Sequence, residues 1–123
     1  MTEFVKIGAG ALFIITNDGW WRNTPGYRQH FSFARLRAIE TRRSIARAAN
    51  TGISGFISQR GDVLQRSPWW TEEALTGEIR FNDKMTFYTQ YGDVIARMAL
   101  FAALLMVLHL VVSFLTRDKK NPH

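Results

Sequence analysis

Few side chains in this sequence could move a proton. His30 lies between Asp18 and Glu40, and an imidazole paired with either carboxylate would make a general acid–base couple. No serine or cysteine nucleophile signature accompanies them, so a self-contained hydrolase is not expected. The 123 residues contain no cysteine, which excludes disulfides, thiolate metal sites and a cysteine nucleophile within them. No metal-ligand spacing and no phosphate-cradling glycine loop is present. Arg35, Arg37, Arg42, Arg43 and Arg47 crowd one segment and could form a phosphate-binding face. Glu40 stands three residues from both Arg37 and Arg43, so local ion pairs on a helix explain them more simply. Nucleic acid is not expected as a partner.

The segment from Thr16 to His30, TNDGWWRNTPGYRQH, is the most unusual. Neither helical nor strand periodicity places Trp20 and Trp21 side by side on a loop rich in Gly, Pro and Asn. Two readings stand equally. The pair forms a mobile apolar arm that meets a ligand or a lipid interface, or it packs on the domain's own core. Arg60-Gly61-Asp62 reads as a turn and not as an adhesion motif.

The elements that would hold these residues follow from pattern. Met1 to Lys6 reads as the end of a helix, closed by Gly8 and Gly10. Ala11 to Thr16 is a short continuous apolar run, as in a strand covered on both faces, and Asn17-Asp18-Gly19 turns the chain. Helical spacing runs from about His30 to Arg43. Its broad apolar stripe holds Phe31, Ala34 and Ala38, with Phe33, Leu36 and Ile39 beside them. Strands are expected at Ser44–Ala49 and Ile53–Ser58, with a hairpin at Arg60–Asp62 into Val63–Gln65. Weaker strands are expected at Leu75–Phe81 and Met85–Tyr88. Half of a layered α/β arrangement results, with an apolar face lacking its cover, and the missing cover is expected upstream of Met1.

From Met98 to Leu115 only His109 and Ser113 interrupt an apolar run. At 1.5 Å per residue this spans roughly 27 Å, close to the thickness of a bilayer core. A transmembrane helix is the expectation, and a buried core helix the lesser alternative. His109 within it reads as a hydrogen-bonding partner for neighbouring helices. Arg117, Lys119 and Lys120 follow, and the positive-inside rule puts the carboxy terminus in the cytoplasm. The preceding residues then lie outside, which also asks for earlier membrane spans. The net charge of +6 fits an anionic partner or the exterior of a membrane protein.

The run ITNDGWW…TPGYRQH…ARLRAIETRRSIARAANTGISGFISQRGDVL, then TFYTQYGD before the apolar helix, resembles the end of the apolipoprotein N-acyltransferases. The match covers Ala9 to Leu115 in one order. It implies an α/β fold: the C-terminal half of a nitrilase-type αββα sandwich followed by one C-terminal transmembrane helix. The implied divisions are a partial nitrilase-like domain over 1–93, a span over 94–116 and a basic cytoplasmic tail over 117–123. By the same resemblance the soluble part lies on the periplasmic side of a bacterial inner membrane. The implied activity moves an acyl chain from a membrane phospholipid to the amino-terminal diacylglyceryl-cysteine of an apolipoprotein. It proceeds through a cysteine thioester, with a glutamate base and a lysine at the oxyanion, and needs no cofactor or metal. None of those three residues has a counterpart here, and Glu3, Lys6 and Glu40 do not take their places, so the chain alone is expected to be inactive. What carries over is the surrounding wall. Asn17 and Asp18 match the loop after the first strand, and Trp20 and Trp21 an aromatic arm. Gln29 and His30 match a polar pair opening the helix, Arg37 and Glu40 a helix signature, and Asn50 and Thr51 a turn. Arg22 departs from the pattern, which has glycine there, and that bears on the arm's mobility. The alternatives are a small single-pass membrane protein with a lipid- or protein-binding module, and a nitrilase-like amidase.

Overall fold

The computed structural model describes residues 1–120, with side chains as far as 116. The chain divides into two compact units, Met1–Gln90 and Tyr91–His123.

In the first unit a short helix α1 (Thr2–Lys6) stops where Gly8 takes φ 104°, a left-handed value open to a residue without Cβ. Strand β1 (Ala11–Asn17), helix α2 (Gly26–Thr41) and strand β2 (Ser44–Asn50) form a β–α–β unit. Its strands pair in parallel from Ala11↔Ser44 to Asn17↔Asn50. Strands β3 (Gly55–Ile57) and β4 (Val63–Arg66) add antiparallel, giving the order β1-β2-β3-β4. The hairpin between them turns at Gly61 (φ 84°), where a Cβ would press on Ile39 Cδ1 at 2.7 Å.

Helix α2 begins a turn before the expected His30. Pro25 (φ −58°) presets the first turn and Tyr27 joins the buried side, which a count starting from Phe31 does not include. It ends at Thr41 and not at Arg43, because Arg42 is left-handed (φ 52°), its carbonyl accepting Asn82 Nδ2 at 2.8 Å. Phe31, Ala34 and Ala38 bury against Ile45 and Ile57 of the sheet, joined by Val5, Leu12, Tyr27 and Ile53. Phe33, Leu36 and Ile39 stay exposed, so the stripe is narrower than expected.

Two further expectations are corrected. Strand β1 is covered on one face only by described residues: Leu12 is buried, but Phe13 is 72% and Ile15 89% exposed. The stretches Leu75–Phe81 and Met85–Tyr88 form no strands. Their backbone is tied crosswise instead, Asn82 N–H donating to Gly10 O at 3.0 Å and Arg80 O accepting Gln59 Nε2 at 3.1 Å. Phe87–Tyr91 is a one-turn helix, α3. Thr86 Oγ1 caps it by accepting the Thr89 N–H at 3.0 Å.

In the second unit helix α4 (Val94–Lys120) opens with Asp93 Oδ1 accepting the Ala96 N–H at 2.9 Å. Its segment Val94–Thr116, of mean hydropathy 2.6, is long and apolar enough to cross a membrane. Among the described residues none of this segment is buried, unlike a core helix. Of the expected tail over 117–123, the backbone as far as Lys120 continues α4. The side chains of Arg117, Lys119 and Lys120 and all of 121–123 lie outside the described residues.

Candidate functional site

The carboxyl ends of β1 and β2 and the amino-terminal half of α2 surround one buried carboxylate. Asp18 follows β1 directly, and its N–H donates to Asn50 O at 3.2 Å, extending the parallel pairing by one residue. Its side chain is wholly buried. Oδ2 accepts Arg47 Nη2 at 2.7 Å, and Oδ1 lies 2.8 Å from His30 Nδ1. A contact that short to a carboxylate needs a proton on Nδ1, which leaves Nε2 as the ring's other nitrogen. Arg47 Nη2 also lies 3.3 Å from Nδ1, but both atoms are donors, so this is proximity within a shared cluster. The Arg47 side chain is 1% exposed and its guanidinium sits 5.7 Å from the Phe31 ring centroid. Burial holds its pKa below the ordinary arginine value, the Asp18 charge opposing that only in part. Its Nε, also buried, has no partner among the described residues.

The surrounding loop is built to admit this cluster. Asn17 Oδ1 accepts the Gly19 N–H at 3.0 Å, an Asx-type turn that starts the 3₁₀ turn Gly19–Trp21. Thr51 is left-handed (φ 59°), and its carbonyl accepts the Trp70 N–H at 3.2 Å. Gly52 follows, and a Cβ there would collide with the Asp18 side chain. Trp21 leans on Gly26 and stands 6.4 Å from His30, ring centroid to ring centroid. Trp20 is 85% exposed. Trp21 is itself 44% exposed, and neither tryptophan is buried in the core. Arg22, where the resemblance has glycine, takes φ 46° and ψ −151°, a backbone region that costs a side-chain-bearing residue about 1–3 kcal/mol.

Other expected residues lie apart from this cluster. Gln29 is exposed. Arg37 and Glu40 pair with each other along α2, and that hydrogen bond raises the Arg37 pKa against the effect of burial. Glu40 pairs with neither His30 nor Arg43. Arg43 is buried instead, donating to Ala9 O at 2.7 Å, Thr41 O at 3.1 Å and Lys84 O at 2.8 Å. Desolvation lowers its pKa, with Asp83 opposing. On the exposed side of the sheet an apolar groove of about 330 Å³ runs between Phe13, Ile15, Ala46, Ala48, Phe56 and Leu75. No group of three potential metal ligands occurs among the described residues.

Residues 5–85 match the carbon-nitrogen hydrolase family. The chain belongs to that family. It is also similar to curated proteins named apolipoprotein N-acyltransferase. The one from Chlorobaculum tepidum is 39% identical over 100 residues, covering 81% of this chain and 19% of that protein. The one from Haemophilus influenzae is 36% identical over 108 residues, 86% of this chain and 20% of the relative. In the one from Allorhizobium ampelinum identity reaches 57% over 64 residues, 50% of this chain and 12% of the relative. The chain spans about a fifth of the length of the first two of these relatives.

In this carbon-nitrogen hydrolase chain the buried cluster stands within the matched region, whereas α4 lies beyond it. Sequence reasoning named Asp18 and His30 but missed Arg47, reading it as one of a row of surface cations. The signal was there: in the alternating strand Ser44–Ala49, Arg47 shares a face with Ile45, which points both inward. Gly52 follows the expected turn at Asn50 and Thr51, and nothing in the sequence tied it to Asp18. Gly26 carries a direct test of the loop, because a Cβ there would strike Trp21, with Cδ2 at 2.8 Å. Gly26→Ala is expected to cost about 1–3 kcal/mol and to free the Trp21 ring. A red shift of the indole emission that vanishes in Trp21→Phe would show it; an unchanged spectrum would mean Trp21 does not rest on Gly26.

Proposed function

We propose that these residues are the carboxy-terminal part of an apolipoprotein N-acyltransferase that transfers an acyl chain from a phospholipid to the amino-terminal diacylglyceryl-cysteine of an apolipoprotein. The observation that carries this reading is the relatives of that name, among them those at 39% and 36% identity over more than four-fifths of this chain. A helix able to span a bilayer, next to a carbon-nitrogen hydrolase domain, supports it, because both substrates of such a reaction are lipids. The domain over 1–93 would lie outside the cytoplasmic membrane, with 94–116 spanning it and 117–123 inside.

In the proposed reaction a cysteine thiolate attacks an acyl ester carbonyl of the donor, and a lysophospholipid leaves with a proton. The α-amine of the acceptor then attacks the thioester, loses its proton to a base and expels the thiolate. No cysteine is among these 123 residues, and on this reading the base and the oxyanion lysine lie outside them too. The role assigned here is to the wall. Asp18, His30 and Arg47 fix the loop, Trp20 and Trp21 face the acyl chains, and Asn17, Asn50 and Thr51 hold the strand ends. Gln29, Arg37 and Glu40 support α2. The open face of Phe13 and Ile15 supports this reading in that an αββα sandwich packs such a sheet face against a second layer.

A chimera tests the proposal. Residues 5–116 replace the aligned segment of the Haemophilus influenzae relative, and the mass of a reporter lipoprotein is read in cells depleted of their own enzyme. The expected result is the added mass of one acyl chain. The 123 residues expressed alone are expected to give none, having no thiol to acylate. A chimera that inserts, folds and still leaves the lipoprotein at its diacylglyceryl mass would sink the reading.

A further inference from the structure

On the side of α2 where its first turn meets the end of β4, an open cleft of about 630 Å³ is lined by Tyr27, Arg28, Ile53, Arg66, Ser67 and Trp69, among others. Two guanidiniums face it and no carboxylate does. Among the described residues neither Arg28 nor Arg66 is in an ion pair. Arg28 Nε donates to Tyr27 Oη at 3.0 Å, which holds that guanidinium at the edge of the ring. Tyr27 in turn stacks on Trp69, centroids 5.1 Å apart and planes 21° off parallel, giving the cleft a rigid aromatic wall. The indole Nε1 of Trp69 is buried and has no acceptor among the described residues. A buried donor left unpaired costs about 1–3 kcal/mol.

The other clefts differ in chemistry. One is lined by Glu72 and Glu73, and the groove beside Phe13 is mostly apolar with Glu73 at its side. Two arginine forks outside any ion pair and an aromatic wall suit a tetrahedral oxyanion carried on an organic body.

We infer that the Arg28–Arg66–Trp69 cleft binds a phosphate ester, and that its occupant is the phosphodiester headgroup of a membrane lipid. The headgroup assignment is argued from α4: a domain joined to a helix able to span a bilayer meets lipid phosphates as its most abundant organic anions. The inference deepens the acyl-transfer reading, on which it rests for the lipid's role as donor but not for the binding itself.

The test uses the full 123-residue chain in uncharged detergent micelles and follows the Trp69 indole ¹H–¹⁵N resonance, assigned by Trp69→Phe. Dihexanoyl phosphatidylglycerol and sn-glycerol 3-phosphate are titrated separately, with dihexanoylglycerol as the phosphate-free control. Both phosphate esters are expected to shift the resonance saturably, the lipid at lower concentration, and the control is expected to leave it in place. Arg28→Gln/Arg66→Gln, two exposed positions that leave the thermal melt unchanged, should raise Kd about tenfold or more. Binding of glycerol phosphate but not of the lipid overturns the headgroup assignment. An unmoved resonance with both esters, or an unchanged Kd in the double variant, overturns the site. In the chimera described above, binding without acylation counts against the acyl-transfer reading alone. Full acylation by the doubly substituted chimera removes the cleft from the reaction and leaves that reading standing.

Discussion

Asp18→Ala is expected to lower the stability of the sheet unit by about 3–5 kcal/mol, the loss typical of a buried charge pair stripped of one partner. The aspartate is wholly buried and Arg47 is 1% exposed, so the guanidinium left behind cannot reach water without opening the domain. Its Nε is already without a partner among the described residues, so the loss of Asp18 takes the carboxylate from Nη2 as well. His30 loses its Nδ1 acceptor at the same time. Urea unfolding of the chain in detergent, followed by tryptophan emission, reports the sheet unit while α4 stays helical. The double variant Asp18→Ala/Arg47→Met should recover more than half of the loss, because a flexible apolar side chain replaces the stranded charge. A loss below about 1 kcal/mol in the single variant would mean that the pair is solvated.

The second large effect is expected from Gly52→Ala. A Cβ at this position meets the Asp18 carboxylate and also the Asp18 Cβ and Cγ, both at 2.6 Å. Gly52 is not among the glycines with positive φ, so the substitution acts through space and not through backbone preference. Overpacking of this kind costs about 1–3 kcal/mol, and displacement of Asp18 from Arg47 adds to it. Because the Cβ of residue 18 is itself in the way, Asp18→Ala does not make room for a methyl group at position 52. In that background, however, no ion pair remains to be broken, so the double variant should lose less than the sum of the two single losses. The same unfolding experiment decides it: losses that add fully would separate Gly52 from the Asp18–Arg47 pair.

The local elements of this fold were largely readable from its residues. An unbroken apolar run became β1, and the spacing of Phe31, Ala34 and Ala38 became the buried side of α2. Less readable was which face of β1 is covered, because ALFIIT is apolar on both sides and its sequence does not name the cover. The expected strands after Leu75 failed for another reason. Leu75 and Ile79 are only half-buried, and the hydrogen bonds of this stretch go to Gly10 and Gln59, partners that are remote in sequence. Local pattern carries no trace of such ties. The candidate site divides the same way. His30 with Asp18 could be named as a pair because the residue types fit. Arg47 could be assigned to Asp18 only once β1 and β2 were known to lie side by side. Arg43 repeats the lesson: its spacing from Glu40 suggested a helical ion pair, but α2 ends first and turns the side chain inward.

That inward Arg43 also sets an order of events during synthesis. Two of the acceptors it gathers, on Ala9 and Thr41, are already made when Arg43 itself is joined to the chain. The one on Lys84 arrives 41 residues later. Long-range contacts of this kind form late, and chains acquire structure from the amino-terminal side as they emerge. The β–α–β half can therefore assemble early, while its final fastening waits for Lys84, about ten positions ahead of α4. Closure of the first unit and emergence of the apolar helix thus fall within the same short interval of translation.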